Sequence, residues 1–265
     1  MPNIIVIGAS AGGVEPLRKL VHALPADLQA AIFIVMHVSP SNPSVLPNIL
    51  SAQGRMKVAA AGDGEPIQPS RVYVAPPDLH LLVEPGYVRL TRGPGENRHR
   101  PAIDPLFRTA ARAYGPRVMG IVLTGLLDDG ALGLHIVKAE GGIAIVQDPT
   151  EAMFDSMPRS AMKTVDVDYV LKTVDMPGTI RDLVRESWES VESGRAKDIL
   201  REFPRPEGEK MSEQYDERTN RKPSMFTCPD CSGTLWEVEE GEGELLRFRC
   251  LMSKNTPEEK ANEIA

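Results

Sequence analysis

The first thirteen residues place the strongest constraint on the fold of this chain. A continuous apolar run, residues 4–7, leads into a glycine-rich turn that carries one serine, Ser10, and a helical pattern follows from residue 14. An apolar run without alternation is typical of a parallel strand that is covered on both faces. The sequence therefore predicts a strand-to-helix corner, where a hydroxyl can act as a nucleophile, bind a phosphate or cap the helix.

The alternation of strand and helix continues to about residue 190. It predicts an α/β fold with a doubly wound, mainly parallel sheet in a three-layer, Rossmann-like sandwich. The turn at Glu84-Pro85-Gly86 predicts one antiparallel hairpin, formed by residues 80–83 and 87–90. The predicted strands are residues 4–7, 31–35, 71–74, 118–123, 143–146 and 169–171, and the predicted helices are residues 14–23, 43–52, 103–113, 131–139, 158–164 and 176–192.

Composition limits the kinds of partner that the chain can bind. It has 265 residues, 42% of them hydrophobic, and a formal net charge of −7. The acidic charge argues against binding to nucleic acids or to anionic membranes. All three cysteines follow residue 227 and no signal sequence is evident, so we expect a cytoplasmic protein without a disulfide framework or membrane insertion. We expect a domain over residues 1–190, a linker over 191–224 and a short, poorly structured tail over 225–265.

Polar residues follow three of the predicted strands. Ser10 follows the first strand, His37 follows the second, and Asp128 and Asp129 follow the strand that ends at residue 123. Because the carboxyl ends of parallel strands meet at one edge of a sheet, these side chains converge if the strands are neighbours. Ser, His and Asp are the residues of acyl transfer, and the backbone N–H groups of the glycines at positions 12 and 13 are candidates for binding an oxyanion.

Each of these residues also has an ordinary structural interpretation. Ser10 is compatible with a helix N-cap, His37 with a packed core residue, and Asp128-Asp129-Gly130 with a capping turn. A nucleotide-binding module is a further alternative. However, Ser10 replaces the middle glycine of the dinucleotide loop, and no Gly-Lys-Ser/Thr follows.

Several motifs, in order across about residues 3–185, resemble the catalytic domain of the chemotaxis protein-glutamate methylesterase (CheB) family. They are Ile7-Gly8-Ala9-Ser10-Ala11-Gly12-Gly13, Val35-Met36-His37, Arg100-Pro101-Ala102-Ile103-Asp104-Pro105-Leu106-Phe107, Leu123-Thr124-Gly125 with Asp129-Gly130-Ala131, Gly141-Gly142 with Gln147-Asp148, and Met157-Pro158-Arg159-Ser160-Ala161.

The resemblance implies a serine hydrolase without a cofactor or metal. Such an enzyme removes methyl esters from glutamates on the cytoplasmic helices of chemoreceptors, and it also deamidates certain glutamines. The resemblance implies that Ser10 is the nucleophile and His37 the base. It implies Asp129 as the third residue of the catalytic triad, because the family's aspartate directly precedes a glycine, here Gly130. The oxyanion and substrate-binding positions that it implies are Ala11, Gly12, Gly13, Leu126 and Met157.

The sequence departs from the family pattern at two positions near the site. Leu127 replaces a glycine, and Ala11 stands where many members have threonine. Because a leucine disfavours a positive φ, we expect the turn to avoid that conformation at Leu127.

The resemblance also bears on regulation. The usual methylesterase has a receiver domain before the catalytic domain, and this sequence begins on the first catalytic strand. We therefore expect constitutive activity or control by a separate regulatory partner protein. A receptor-binding signalling adaptor that keeps the fold but has lost turnover is the alternative function.

Two further segments carry candidate binding residues. Cys228, Cys231 and Cys250 resemble three quarters of a zinc ribbon, but no fourth Cys or His follows Cys250, so free thiols are the favoured interpretation.

A basic loop contains Arg92, Arg98, His99 and Arg100. It either steers an acidic receptor helix toward the site, or it is a solvated loop or one with an arginine that packs near Asp104.

Overall fold

Seven parallel strands form the central sheet. The computed structural model describes residues 3–38, 44–52, 54–192, 221–227, 234–240 and 245–250. The strand order is β3-β4-β2-β1-β7-β8-β9, so the first strand lies at the centre. Their bounds are β1 Asn3–Ala9, β2 Ala30–Met36, β3 Lys57–Ala60, β4 Arg71–Val74, β7 Val118–Val122, β8 Ile143–Gln147 and β9 Tyr169–Leu171, and the antiparallel hairpin comprises β5 His80–Glu84 and β6 Tyr87–Thr91.

Helices cover both faces of this sheet and confirm the predicted three-layer, doubly wound architecture. One apolar core contains Leu17, Leu50 and Ile180 from the helices on one face. The other contains Phe107, Leu134 and other side chains from the opposite face. The helices are α1 Val14–Ala23, α2 Leu46–Ser51, α3 Ile103–Tyr114, α4 Ala131–Ala139, α5 Ser156–Thr164 and α6 Met176–Glu192.

The predicted hairpin of β5 and β6 is antiparallel, as expected. It is tied to α3 by two hydrogen bonds: the Val83 N–H donates to Thr109 Oγ1 at 3.1 Å, and the Gly86 N–H donates to the Tyr114 hydroxyl at 2.9 Å. The hairpin therefore supports the helix whose N-terminus, as described below, reaches the site.

Two elements of the sheet layer differ from the sequence-based expectation. β3 is not predicted, because Lys57, Ala59 and Ala60 favour strands only weakly; it is nevertheless paired along its length with β4. The helix predicted over residues 43–52 is shorter, since α2 begins at Leu46.

The C-terminal part contains an antiparallel sheet of β10 Arg221–Thr227, β11 Thr234–Glu240 and β12 Leu245–Cys250. The chain segments between and after these strands lie outside the described residues, so the expected linker over 191–224 and tail over 225–265 stay predictions. Short groups of strand-forming residues, such as Leu235 with Trp236, pair in register although the segment as a whole is polar.

Of the residues in the predicted zinc motif, Cys228 and Cys231 lie outside the described residues, and Cys250 is the last residue of β12. The prediction of free thiols therefore stays a prediction. In the described part of the chain, every helix is too short or too polar to cross a lipid bilayer.

Candidate active site

The three strand ends singled out in the sequence meet at one edge of the sheet. β1 pairs with β2 on one side and with β7 on the other, both in parallel. The loops that follow these strands therefore emerge side by side and carry Ser10, His37 and Asp129. The sequence predicted that these side chains converge if the three strands are neighbours. The strands are neighbours, and the side chains lie together.

The imidazole of His37 lies between the other two side chains. Its Nδ1 is 3.0 Å from Ser10 Oγ, and its Nε2 is 2.7 Å from Asp129 Oδ2. An ionised carboxylate only accepts hydrogen bonds, so Nε2 carries the proton and Nδ1 is left to accept from the serine hydroxyl. The two ring nitrogens have exchanged the roles that they have in the serine protease triad.

Asp129 is oriented by the beginning of α3. The Ile103 N–H donates to its Oδ2 at 2.7 Å and the Asp104 N–H donates to its Oδ1 at 3.1 Å. The side chain of Asp129 is 2% exposed, whereas Asp128 is exposed. The residue in the N-cap position of α4 is Gly130, and the hydrogen bonds of the Asp129 carboxylate described above go to α3 and to His37 instead of α4.

The turn after β1 keeps Ser10 in place through its backbone. The Ser10 N–H donates to the Thr124 carbonyl at 3.0 Å, and the Gly13 N–H donates to the Ser10 carbonyl at 2.9 Å. Gly13 therefore has no N–H available for an oxyanion, which corrects its expected role. Its own part is to begin α1, as the residue in the N-cap position.

Of the expected backbone donors beside the serine, those of Ala11, Gly12 and Leu126 remain available among the described residues. No hydrogen-bond acceptor in that part of the chain contacts any of the three N–H groups. Ala11 directly follows Ser10, and Leu126 follows Gly125, which lies so close to the nucleophile that a Cβ on it would come within 2.8 Å of Ser10 Cβ. These N–H groups flank the serine from two different loops.

The loop after β7 is held by a neighbouring loop. The Gly125 N–H donates to the Phe154 carbonyl and the Met157 N–H to the Gly125 carbonyl, each at 3.0 Å. Thr124 Oγ1 bonds to the Ala11 and Phe154 carbonyls, each at 3.1 Å. Met157 is 1% exposed and packs beneath Gly125. Met157 therefore supports the loop from the protein interior. Its side chain is not accessible to a substrate, in contrast to the substrate-binding role expected for it.

Three large apolar side chains at the rim of the site are exposed: Leu126 by 51%, Leu127 by 58% and Met153 by 76%. Met153 lies over Gly12, where a Cβ would come within 3.0 Å of the Met153 Cβ. Leu127 has φ of +66°, so the expectation that this turn avoids positive φ is wrong. The backbone keeps the conformation that a glycine would adopt, although the side chain disfavours it.

His99 makes a contact that the sequence analysis did not anticipate. Its ring stacks on that of His37, with centroids 3.6 Å apart and planes 6° from parallel. The sequence placed His99 in a basic loop, and nothing in its spacing indicates that this loop returns over the sheet edge. The only related signal is that His99 directly precedes the family motif that begins at Arg100, and this does not identify the partner.

The ligand atoms of His37, His99 and Asp129 all lie within 4.8 Å of one another, a separation that three ligands of one metal ion would have. The nitrogen lone pairs of stacked rings point along parallel planes and do not converge on one ion. In addition, Asp129 Oδ2 and His37 Nε2 are already in a 2.7 Å hydrogen bond. A tetrahedral site with bonds of about 2.0 Å does not fit this arrangement.

Arg100 fixes the loop that carries His99. Its Nε donates to Asp78 Oδ1 at 2.9 Å and its Nη1 to the Gly93 carbonyl at 2.9 Å. The hydrogen bonds from Arg100, with a smaller contribution from the charge of Arg92, hold the pKa of the Asp78 carboxyl below its ordinary value. Arg92 and Arg100 both contact Asp78. This favours a structural role for these two residues, although the acidic partner is Asp78 and not the expected Asp104.

Comparison with known proteins agrees with this geometry. The family model described as CheB methylesterase matches residues 5–180. A putative protein-glutamate methylesterase/protein-glutamine glutaminase of Leptospira interrogans is 41% identical over 168 residues, which are 63% of this chain and 87% of that protein. A protein-glutamate methylesterase/protein-glutamine glutaminase of Anaeromyxobacter dehalogenans is 37% identical, over 69% of this chain and 54% of that protein.

A solved structure is also similar. The crystal structure of the Thermotoga maritima CheB methylesterase catalytic domain matches with a TM-score of 0.66 and 33% identity, and the match covers 69% of this chain and 99% of that one. The chain spans about half the length of several curated relatives, 54% in one case and 52% in another. On the strength of the family match and these relatives, the chain belongs to the CheB methylesterase family.

Proposed function

We propose that the protein is a protein-glutamate methylesterase that hydrolyses glutamate methyl esters on chemoreceptors by a Ser-His-Asp mechanism. The observation that supports this most directly is the continuous hydrogen-bond path from Ser10 Oγ through His37 to Asp129. An adaptor that only binds receptors has no need of this path, so the geometry favours the hydrolase over the adaptor. The family membership points to the same reaction.

In the first half of the proposed reaction, Ser10 Oγ attacks the ester carbonyl carbon while His37 Nδ1 takes the hydroxyl proton. Asp129 stabilises the imidazolium that forms, because it accepts from Nε2. The N–H groups of Ala11 and Leu126 bind the oxygen that becomes negative in the tetrahedral intermediate. His37 then returns the proton to the methoxy oxygen, and methanol leaves.

In the second half, water attacks the acyl-serine with His37 as the general base. The tetrahedral intermediate collapses to a free glutamate carboxylate and restores the Ser10 hydroxyl. A glutamine amide follows the same route with ammonia as the leaving group. In both cases the substrate is a side chain on the cytoplasmic helices of a receptor, so the proposed reaction takes place in the cytoplasm.

The test is methanol release from a receptor that carries labelled methyl esters, with the wild type and Ser10→Ala compared under identical conditions. We expect release by the wild type and a decrease on the order of 10⁴-fold or more in Ser10→Ala, since loss of the nucleophile removes the covalent route. Mass spectrometry of the receptor peptide reports methyl loss and glutamine deamidation in the same samples.

The matched control is Ser51→Ala, which removes a hydroxyl from the exposed end of α2 and is expected to keep wild-type turnover. If neither the wild type nor the Ser10→Ala variant releases methanol, the adaptor is favoured. Equal release by both would remove Ser10 from the mechanism.

A further inference from the structure

Asp104 is a buried carboxylate that the proposed reaction does not use. It is the second residue of α3 and is 2% exposed. Its backbone N–H donates to Asp129 Oδ1 at 3.1 Å. Its own carboxylate points to the next helix, where Oδ1 accepts from the Gly130 N–H at 3.0 Å and from the Gly133 N–H at 2.7 Å.

These contacts make a reciprocal exchange between two helix N-termini. The carboxylate of Asp129, which precedes α4, accepts from the first two N–H groups of α3. The carboxylate of Asp104, in α3, accepts from the N-cap residue of α4, Gly130, and from Gly133 in its first turn. The N-terminus of a helix carries unpaired donors and a partial positive charge, so each carboxylate stabilises the helix that it faces.

The exchange fixes the peptide next to Asp129. Gly130 directly follows Asp129 in the chain, and its N–H is held by Asp104 Oδ1 at 3.0 Å. The same residue, Asp104, also holds the Asp129 carboxylate through its backbone N–H. Asp129 is thus held by one residue at both its backbone and its side chain, which leaves its Oδ2 directed at His37 Nε2.

We propose that Asp104 is a positioning residue for the reaction, and that it acts by holding Asp129 in the orientation that the hydrogen bond to His37 requires. The proposal rests on the proposed function for its kinetic consequence. Without the Asp104 carboxylate, two buried N–H groups at the start of α4 lose their acceptor, and the turn that carries Asp129 relaxes. A displacement of about 1 Å in such a group lowers turnover by about 10²-fold.

The test compares Asp104→Ala with the isosteric Asp104→Asn, whose amide oxygen still accepts from Gly130 and Gly133. We expect kcat to fall by about 10- to 100-fold in Asp104→Ala with KM within about twofold of the wild type. In Asp104→Asn we expect a decrease of about two- to fivefold, because a neutral acceptor binds these N–H groups more weakly than a charged one.

A second measurement reads the hydrogen bond without any substrate. The proton on His37 Nε2 that is donated to Asp129 gives a downfield resonance in the ¹H NMR spectrum. It should disappear or broaden in Asp104→Ala and shift in Asp104→Asn. If the Ala variant does not fold, the Asn variant alone decides: unchanged kcat together with an unchanged resonance overturns the proposal.

The control is Asp168→Ala. Asp168 also accepts a hydrogen bond from a backbone N–H, that of Ala144 at 2.8 Å, and it forms an ion pair with Lys138. These contacts lie at the end of β8 opposite the site. We expect the Asp168→Ala variant to be less stable than the wild type, with no change in kcat or in the resonance of the His37 Nε2 proton. An Asp104→Ala variant that behaves in the same way overturns the proposal. Failure of the wild type to release methanol contradicts the proposed function instead, and the resonance still reports on Asp104.

Discussion

At the scale of single residues, His37 is held at both ring nitrogens and on one face. Ser10 and Asp129 bond to its nitrogens, and the ring of His99 lies parallel to it at 3.6 Å. The hydrogen bonds fix the direction of the two nitrogens, while the stacked ring restricts tilting of the imidazole plane.

We therefore predict different effects for two substitutions of His99. In His99→Ala the face of His37 is open to water, and kcat/KM should fall by about two- to tenfold, which corresponds to the typical free energy of an aromatic pair. In His99→Phe the flat ring is retained, and kcat/KM should stay within about twofold of the wild type. Steady-state methanol release measures both.

His135→Ala is the control for removal of a histidine, because His135 is exposed on α4. It should behave as the wild type. Equal losses in the Phe and Ala variants would show that the stacked ring is not what His99 contributes.

Leu127 shows the limit of sequence reasoning at the same scale. The substitution of leucine for a family glycine was expected to change the turn, yet its φ is +66°. The neighbouring loop explains this, because Gly125 and Thr124 are tied to Phe154 and to the Ser10 turn. A non-glycine residue in this region carries a cost on the order of 1–3 kcal/mol, which the surrounding bonds must offset.

At the scale of elements, the site depends on how closely α3 and α4 approach. Gly133 of α4 lies against α3, and a Cβ on it would come within 2.6 Å of Phe107 Cβ and 3.0 Å of Asp104 Oδ1. The absence of a side chain at this position lets the Gly133 N–H reach the Asp104 carboxylate at 2.7 Å. The packing of the two helices and the orientation of Asp129 are therefore linked.

We predict that Gly133→Ala lowers the free energy of unfolding by about 1–3 kcal/mol, because the new methyl group overlaps α3 and forces the helices apart. This should outweigh the gain in helix propensity of about 1 kcal/mol that alanine brings. Urea denaturation measures the change, and kcat should fall in the folded variant because Asp129 moves with α4.

The matched control is Gly178→Ala in α6, where a Cβ would meet no atom within 4 Å. At this position alanine changes only the helix propensity. We therefore expect the free energy of unfolding to rise by up to about 1 kcal/mol and kcat to be unchanged. A stabilising effect of Gly133→Ala would contradict the tight packing of α3 against α4.

At the scale of the whole molecule, the sequence anticipates the parallel sheet and the convergence of Ser10, His37 and Asp129. This is possible because buried parallel strands are continuous apolar runs, and polar residues at their ends stand out. The β10–β12 sheet was not predicted because its strands lie in a charged and polar background, without the continuous apolar runs of β1 and β2. The stack of His99 on His37 was missed because contacts between loops leave no periodic signal.

Our last prediction concerns the independence of the first 192 residues. The family match ends at residue 180, and the Thermotoga maritima structure that matches 69% of this chain is itself described as a catalytic domain. Among the residues that the structure describes, both apolar cores of the seven-stranded sheet consist of residues between Ile4 and Val184. A unit with its own core is able to fold alone.

We therefore expect a chain that ends at residue 192 to unfold in one cooperative transition and to keep kcat/KM within about twofold of the full chain on the same receptor. A chain that ends at residue 171 is the comparison. It keeps all seven strands but lacks α6, whose Met176, Ile180 and Val184 are buried in one core. Loss of these three side chains exposes the apolar face of β1 and its neighbours, so the shorter chain should unfold or aggregate. If the 192-residue chain also loses its cooperative transition in calorimetry, then residues beyond α6 are needed for the stability of the sheet, and the first unit is not an independent domain.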